Sequence, residues 1–343
     1  MCDRTSTFRL VNLRYCLLLL VLFYASAQAQ DRLVAPSWTS VTVGVGNLDK
    51  ALELWVGTFG FEKLASSEGE DAELAALWKI LPTDIKRQAL LGMPGSNYGK
   101  LHLVEFTEPG PPVREGAQVF DLCPKNLDIY VSDLPARVKE MQANGISFRN
   151  PEPSEVTAPD GTIFREIHMA GHDEINIVLL EVIGKEMEFN DKGFSGIGPL
   201  IAIVDQAEIE KNFYASVMGM DKLSDNLLEG PEIEKMIGLP PGARLDVSIW
   251  GQKEISLGQI ELVDYQGVKS NNLYPVTVPT QLGILHTSYA VTDIEAFKQK
   301  LHDAGINHFD RGYRELIFGS GKFLRFRSPG GMNIEAFEAI NIP

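Results

Sequence analysis

The chain has 343 residues, with 46 acidic against 31 basic side chains and a formal charge of −15. That balance excludes the basic footprint that non-specific nucleic-acid binding requires. With 44% hydrophobic and 22% charged residues, it reads as a globular chain long enough for two cores. Its three cysteines exclude a disulfide-stapled fold and a cysteine-rich metal cluster.

In chain order, residues 1–29 read as a secretory leader. Arg4, Arg9 and Arg14 form a basic start, residues 16–24 are apolar, and Ala27-Gln28-Ala29 gives the small-x-small cleavage pattern. The apolar run is far shorter than the about 20 residues that span a bilayer. The expectation is cleavage after Ala29, a secreted or periplasmic mature chain, and no stable membrane anchor. Cys2 and Cys16 leave with the leader, so Cys123 is the one remaining thiol. Three arginines and one aspartate leave too, which takes the formal charge from −15 to −17.

The rest is a repeat. Apolar strand patterns at 40–45, 126–131, 200–204 and 286–291 each open a unit. Gly60 and Leu64 of the first match Gly219 and Leu223 of the third, offset by 159. Asp133 and Gly145 of the second match Asp293 and Gly305 of the fourth, offset by 160. Asp133 and Asp293 stand where an N-cap accepts backbone N–H groups. Ile294, Phe297, Leu301 and Ala304 then recur at helical spacing, and Gly305 suits a left-handed terminator. Units one and three insert a second short helix, at 72–80 and 231–237. Two or three further strand patterns close each unit, and the last carries Glu105, Glu181, Glu261 or Glu335. The fold class is therefore α+β, with four βαβββ modules. Linkers rich in Gly, Pro and Asn fall at 108–118, 184–198 and 268–282. Pairing in chain order gives two domains, 36–184 and 196–342.

A carboxylate within an apolar strand is costly unless it is partnered or faces water. Asn333 and Glu335 alternate with Ile334 and Ala336, which fits a solvent face. The recurrence of a strand-start position with a last-strand glutamate in every unit argues instead for a shared concave surface. One imidazole, His286, with two carboxylates makes a nitrogen/oxygen ligand set that suits Mn, Fe, Co, Ni or Zn.

This four-unit chain, with its Phe213-Tyr214 to Asp221-Lys222-Leu223 passage and its Ser328-Pro-Gly-Gly-Met-Asn-Ile-Glu335-Ala-Phe ending, resembles the vicinal oxygen chelate (VOC) superfamily. That group includes glyoxalase I, extradiol dioxygenases, methylmalonyl-CoA epimerase and bleomycin resistance proteins. The resemblance covers about 36–342. It implies paired, cupped sheets of the glyoxalase/bleomycin resistance type around one divalent metal (Fe, Mn, Zn, Ni or Co). Carried onto this chain, the ligands are Glu261, His286 and Glu335, with Glu261 or Glu335 as catalytic base. The fourth position is Pro199, which cannot ligate. Ser40, Glu105, Asn126 and Glu181 leave the N-terminal half without a histidine, a degenerate site. The resemblance implies metal-dependent lyase, isomerase or dioxygenase chemistry on a small oxygen-chelating substrate. The alternative is a non-catalytic small-molecule-binding protein of the bleomycin-resistance type. Against ring cleavage, Arg325 stands where the dioxygenase signature has a tyrosine.

Arg325 and Arg327 belong to a basic group with Arg311, Arg314 and Lys322, and are expected to bind an anionic substrate. Their alternation with Leu324 and Phe326 also fits a solvated strand face. His102, three residues from Glu105, points to the opposite face from it. His168 and His172 have the spacing of a surface metal pair.

Overall fold

The computed structural model describes residues 32–343. The leader and its cleavage site lie outside the described residues. Unit one is β1 (Ser40–Val45), α1 (Leu48–Leu52), β2 (Glu62–Glu68), α2 (Ala72–Trp78), β3 (Ile85–Gly92) and β4 (Lys100–Phe106). Unit two is β5 (Pro124–Val131), α3 (Leu134–Ala143), β6 (Ser154–Thr157), β7 (Ile163–Ala170) and β8 (Asn176–Val182). Unit three is β9 (Phe194–Val204), α4 (Ala207–Asn212), β10 (Asp221–Glu229), α5 (Pro231–Ile237), β11 (Arg244–Gln252) and β12 (Ile255–Gln266). Unit four is β13 (Gly283–Val291), α6 (Ile294–Asp303), β14 (His308–Leu316), β15 (Gly319–Arg327) and β16 (Asn333–Asn341). The four βαβββ modules are those expected from the repeat.

Their pairing is not in chain order. One eight-stranded sheet runs β14-β15-β16-β13-β1-β4-β3-β2 and joins unit four to unit one. The other runs β10-β11-β12-β9-β5-β8-β7-β6 and joins unit three to unit two. Neither 36–184 nor 196–342 is therefore a self-contained paired-sheet domain. The opening strands are buried along their length, so each needs a neighbour on both edges, and they meet antiparallel as β1–β13 and β5–β9. The linkers explain the choice of partners. The β4–β5 and β12–β13 connections run side by side, with Val113 N–H on the Leu282 carbonyl and Leu122 N–H on the Asn271 carbonyl, both 2.8–2.9 Å. The Asp121 carboxylate fixes that crossing by accepting from the Asn271 backbone and side chain.

The convex faces of both sheets and the helices form one apolar core, from Val41, Val43 and Leu103 to Ile260 and Leu262. Each first helix is fastened by an acid on the last strand of its unit. Glu105 accepts from Leu48 N–H at 3.2 Å, Glu181 from Leu134 N–H at 3.4 Å and Glu338 from Ile294 N–H at 3.2 Å. Asp264 does the same for Ala207. A carboxylate at a helix start satisfies an orphan donor and meets the positive end of the dipole.

Candidate functional site

The sheet of units one and four is concave, but its hollow is filled. Cross-strand pairing puts Thr42, His102, His286, Ser288 and Glu335 on this inner face. Helix α2 lies over them and lowers Trp78 among Phe106, Phe318, Phe323 and Phe337. Both ends of that helix are held. Its N-cap Asp71 accepts from Leu74 N–H and from Gln88 Nε2, and Gln88 Oε1 accepts from His102 Nε2–H at 2.8 Å. At the other end, Trp78 Nε1 donates to Glu335 Oε1 at 2.8 Å, and its ring stacks on His286 with centroids 5.2 Å apart.

The charges there are arranged to be minimal. Burial lowers His102 to about 3, so it stays neutral. His286 is held well below its ordinary value by burial and by the Arg325 charge, whose Nη2 donates to its Nε2 at 2.8 Å. Burial raises Glu335, opposed by Arg325, Trp78 and Ser288.

The sheet of units two and three carries an open cup of about 800 Å³. Asn126, Asp128 and Tyr130 of β5, Glu166 and His168 of β7, and Glu261 and Tyr265 of β12 line it, with Lys125 at one side and Met236 and Ile237 of α5 at the rim. Asp128 is 5% exposed and its Oδ1 has no hydrogen-bond partner. Burial, then the neighbouring Glu261 and Glu166 charges, push it well above the usual carboxylate range. Glu261 rises to about 8, by burial and then by Glu166. Glu261 as a residue is half-buried and lines the cavity. Lys125 is lowered to about 7, chiefly by burial, and its Nζ lies 3.0 Å from the Tyr265 hydroxyl. His168 bridges Glu166 and Asn176 at 3.0 and 3.1 Å.

No family model and no curated protein matches the chain. Solved structures do. Glyoxalase I from Zea mays superposes with a TM-score of 0.60 at 15% identity, over 88% of this chain and 92% of that one. A candidate dioxygenase from Bacillus subtilis superposes with a TM-score of 0.58 at 12% identity, over 90% of this chain and 86% of that one. The chain has the VOC fold. Its paired, cupped sheets and four-module layout are as the sequence suggested.

Within that fold the predicted metal set does not assemble. Glu261 is on β12 of one sheet, whereas His286 and Glu335 are on β13 and β16 of the other. In the filled cup the lone pair of His286 meets a guanidinium, and Glu335 spends its oxygens on Trp78 and Ser288. In the open cup the corresponding positions hold Asn126, Val178, Ile201 and Glu261. Among the described residues, no three His, Cys, Asp or Glu side chains come together with metal-holding geometry. The residues as placed do not fit a divalent ion: the one histidine lining the open cup, His168, is engaged by Glu166 and Asn176, away from Glu261.

The other sequence-predicted residues separate as well. Glu105 and Glu181 face the helices they fasten. Arg325 and Arg327 lie on β15, remote from Glu261 in sheet order. Arg325 faces inward, paired across strands with Glu335, so the solvated-face reading holds only for the exposed Arg327. His172 is no partner of His168; it accepts from Trp55 Nε1 at 2.8 Å and contacts Asp173. Asp128, Glu166 and Lys125 were missed. Asp128 is two positions past Asn126 and so shares its face, a signal that alternation along β5 contained.

Proposed function

We propose that this VOC-fold protein is an enzyme of the lyase or isomerase type that moves protons on a small oxygen-bearing substrate in the open cup. The observation that carries this reading is Asp128 and Glu261, two buried carboxyls lining one cavity together with the desolvated Lys125. Perturbed acids and bases of this kind suit proton transfer near neutral pH. At pH 7 Glu261 is protonated for the most part and can donate to a substrate oxygen, while Lys125, lowered to about 7, has a neutral fraction that can accept the proton leaving an activated C–H. Asn126 lines the same cavity and can hold a carbonyl or carboxylate oxygen, beside apolar walls such as Val247 and Ile249. Glu335, sealed in the other cup, has no part in this chemistry. Export remains our proposal for the cell; N-terminal sequencing of mature protein should begin at Gln30.

The test is proton exchange. Small 2-oxo and 2-hydroxy acids and hydroxyketones are incubated in D2O and followed by proton NMR. Wild type should wash out an activated C–H of at least one, and Glu261→Gln should slow it by about 100-fold or more. Ligands that bind in the cup without any exchange, with and without added Mn, Fe, Co, Ni or Zn, would leave a binding protein. Exchange that appears only with an added ion would return a metal to the mechanism.

A further inference from the structure

A second cavity, about 710 Å³, opens on unit four at the edge of the filled cup. Arg311, Arg325 and Arg327 line it with Lys79, in a chain whose net charge is −15. Its walls are apolar: Trp78, Val278, Pro279, Phe326 and the exposed ring of Phe309 at the lip.

The cations are under-neutralised. Glu335 is the carboxylate nearest them, 3.5 Å from Arg325 Nε and already held by Trp78 and Ser288. Arg327 Nε is oriented by Asn333 Oδ1 at 3.0 Å, which leaves its terminal nitrogens for other partners. Arg311 stacks over Phe309 at 5.4 Å from the ring centre, and its buried Nε has no partner. A buried donor without an acceptor is costly, and arginines massed against apolar walls repel one another until an anion arrives. Arg forks match planar oxyanions in pairs.

We infer that this groove binds an organic oxyanion, a carboxylate or phosphate ester with an apolar body, through Arg311 and Arg327 over the fixed charge of Arg325. The body rests on Phe309, Val278 and Pro279. The site stands apart from Glu261 and does not depend on the chemistry proposed there.

Calorimetric titration of the full chain with benzoate, phenyl phosphate and benzyl alcohol tests it. Benzoate or phenyl phosphate should bind, with an affinity that falls as salt rises, and benzyl alcohol should bind at least tenfold more weakly. The order of the two anions assigns carboxylate or phosphate. Arg311→Gln with Arg327→Gln, the first half-buried and the second exposed and so compatible with folding, should weaken the anion about tenfold or more. Glu261→Gln, in the other cup, should leave it unchanged. Equal binding of benzyl alcohol, an unchanged affinity in the double variant, or no anion binding up to about 10 mM would overturn the inference.

Discussion

At the scale of single residues, the open cup links stability to pH in two opposite ways. Glu261, raised from 4.5 to about 8, holds a proton in the folded chain that the unfolded chain releases above pH 4.5. Its contribution is complete below pH 4.5 and is lost as pH rises toward 8. Lys125, lowered from 10.5 to about 7, is protonated in the unfolded chain and neutral in the folded one between those values. Stability therefore rises again with pH across that window. Glu261→Gln removes the first effect. Denaturant unfolding at pH 5 and pH 8 should show the variant gaining about 1–3 kcal/mol on wild type between the two pH values. Parallel curves would mean that Glu261 titrates normally. The sequence displayed this residue but mixed two kinds of glutamate. Carrying the offset of 159 to the last strand lands Glu261 on His102 and Asp264 on Glu105. Residues three apart on a strand face opposite ways, so Glu105 and Glu181 are helix anchors while Glu261 and Glu335 face the cups.

At the scale of elements, α2 and α5 decide which cup is filled. They are equivalent helices, and the same offset places Ile237 where unit one has Trp78. The indole of Trp78 is 4% exposed and reaches Glu335, whereas Ile237 only rims a cavity. Trp78→Ala should cost about 3–5 kcal/mol, with Glu335 and His286 losing their cover. Ile237→Trp should do the reverse to the other cup. It should block small-molecule binding there in an NMR titration, at a stability cost of about 1–3 kcal/mol, and leave the arginine groove untouched. Retained binding with unchanged affinity would show that α5 does not gate the cavity. Both helices could be read from the sequence; the size of one side chain at the end of each decides open against filled, and periodicity carries no such information.

At the scale of the molecule, the repeat was legible and the pairing was not. Constant offsets identify four like units, but any of them could bury its opening strand against any other. The choice rests on contacts far apart in sequence, such as Asp121 with Asn271 and Val34 with Val291. Crossed pairing makes a sharp prediction for a chain cut in the linker near residue 188. Each half would contribute one unit to each sheet and leave β1, β5, β9 and β13 each short of a neighbour. An edge of that length and apolarity is unstable or self-associating. Residues 32–188 and 189–343, expressed separately, should therefore aggregate or form mixed oligomers, with no sharp thermal transition. Co-expressed, they should co-purify one to one and regain a cooperative transition. Chain-order domains would behave differently: each half would be a folded monomer by itself, and mixing would change nothing. Cooperative melting of an isolated monomeric half is thus the result that would refute the crossed arrangement, and with it the separation of Glu261 from His286 and Glu335.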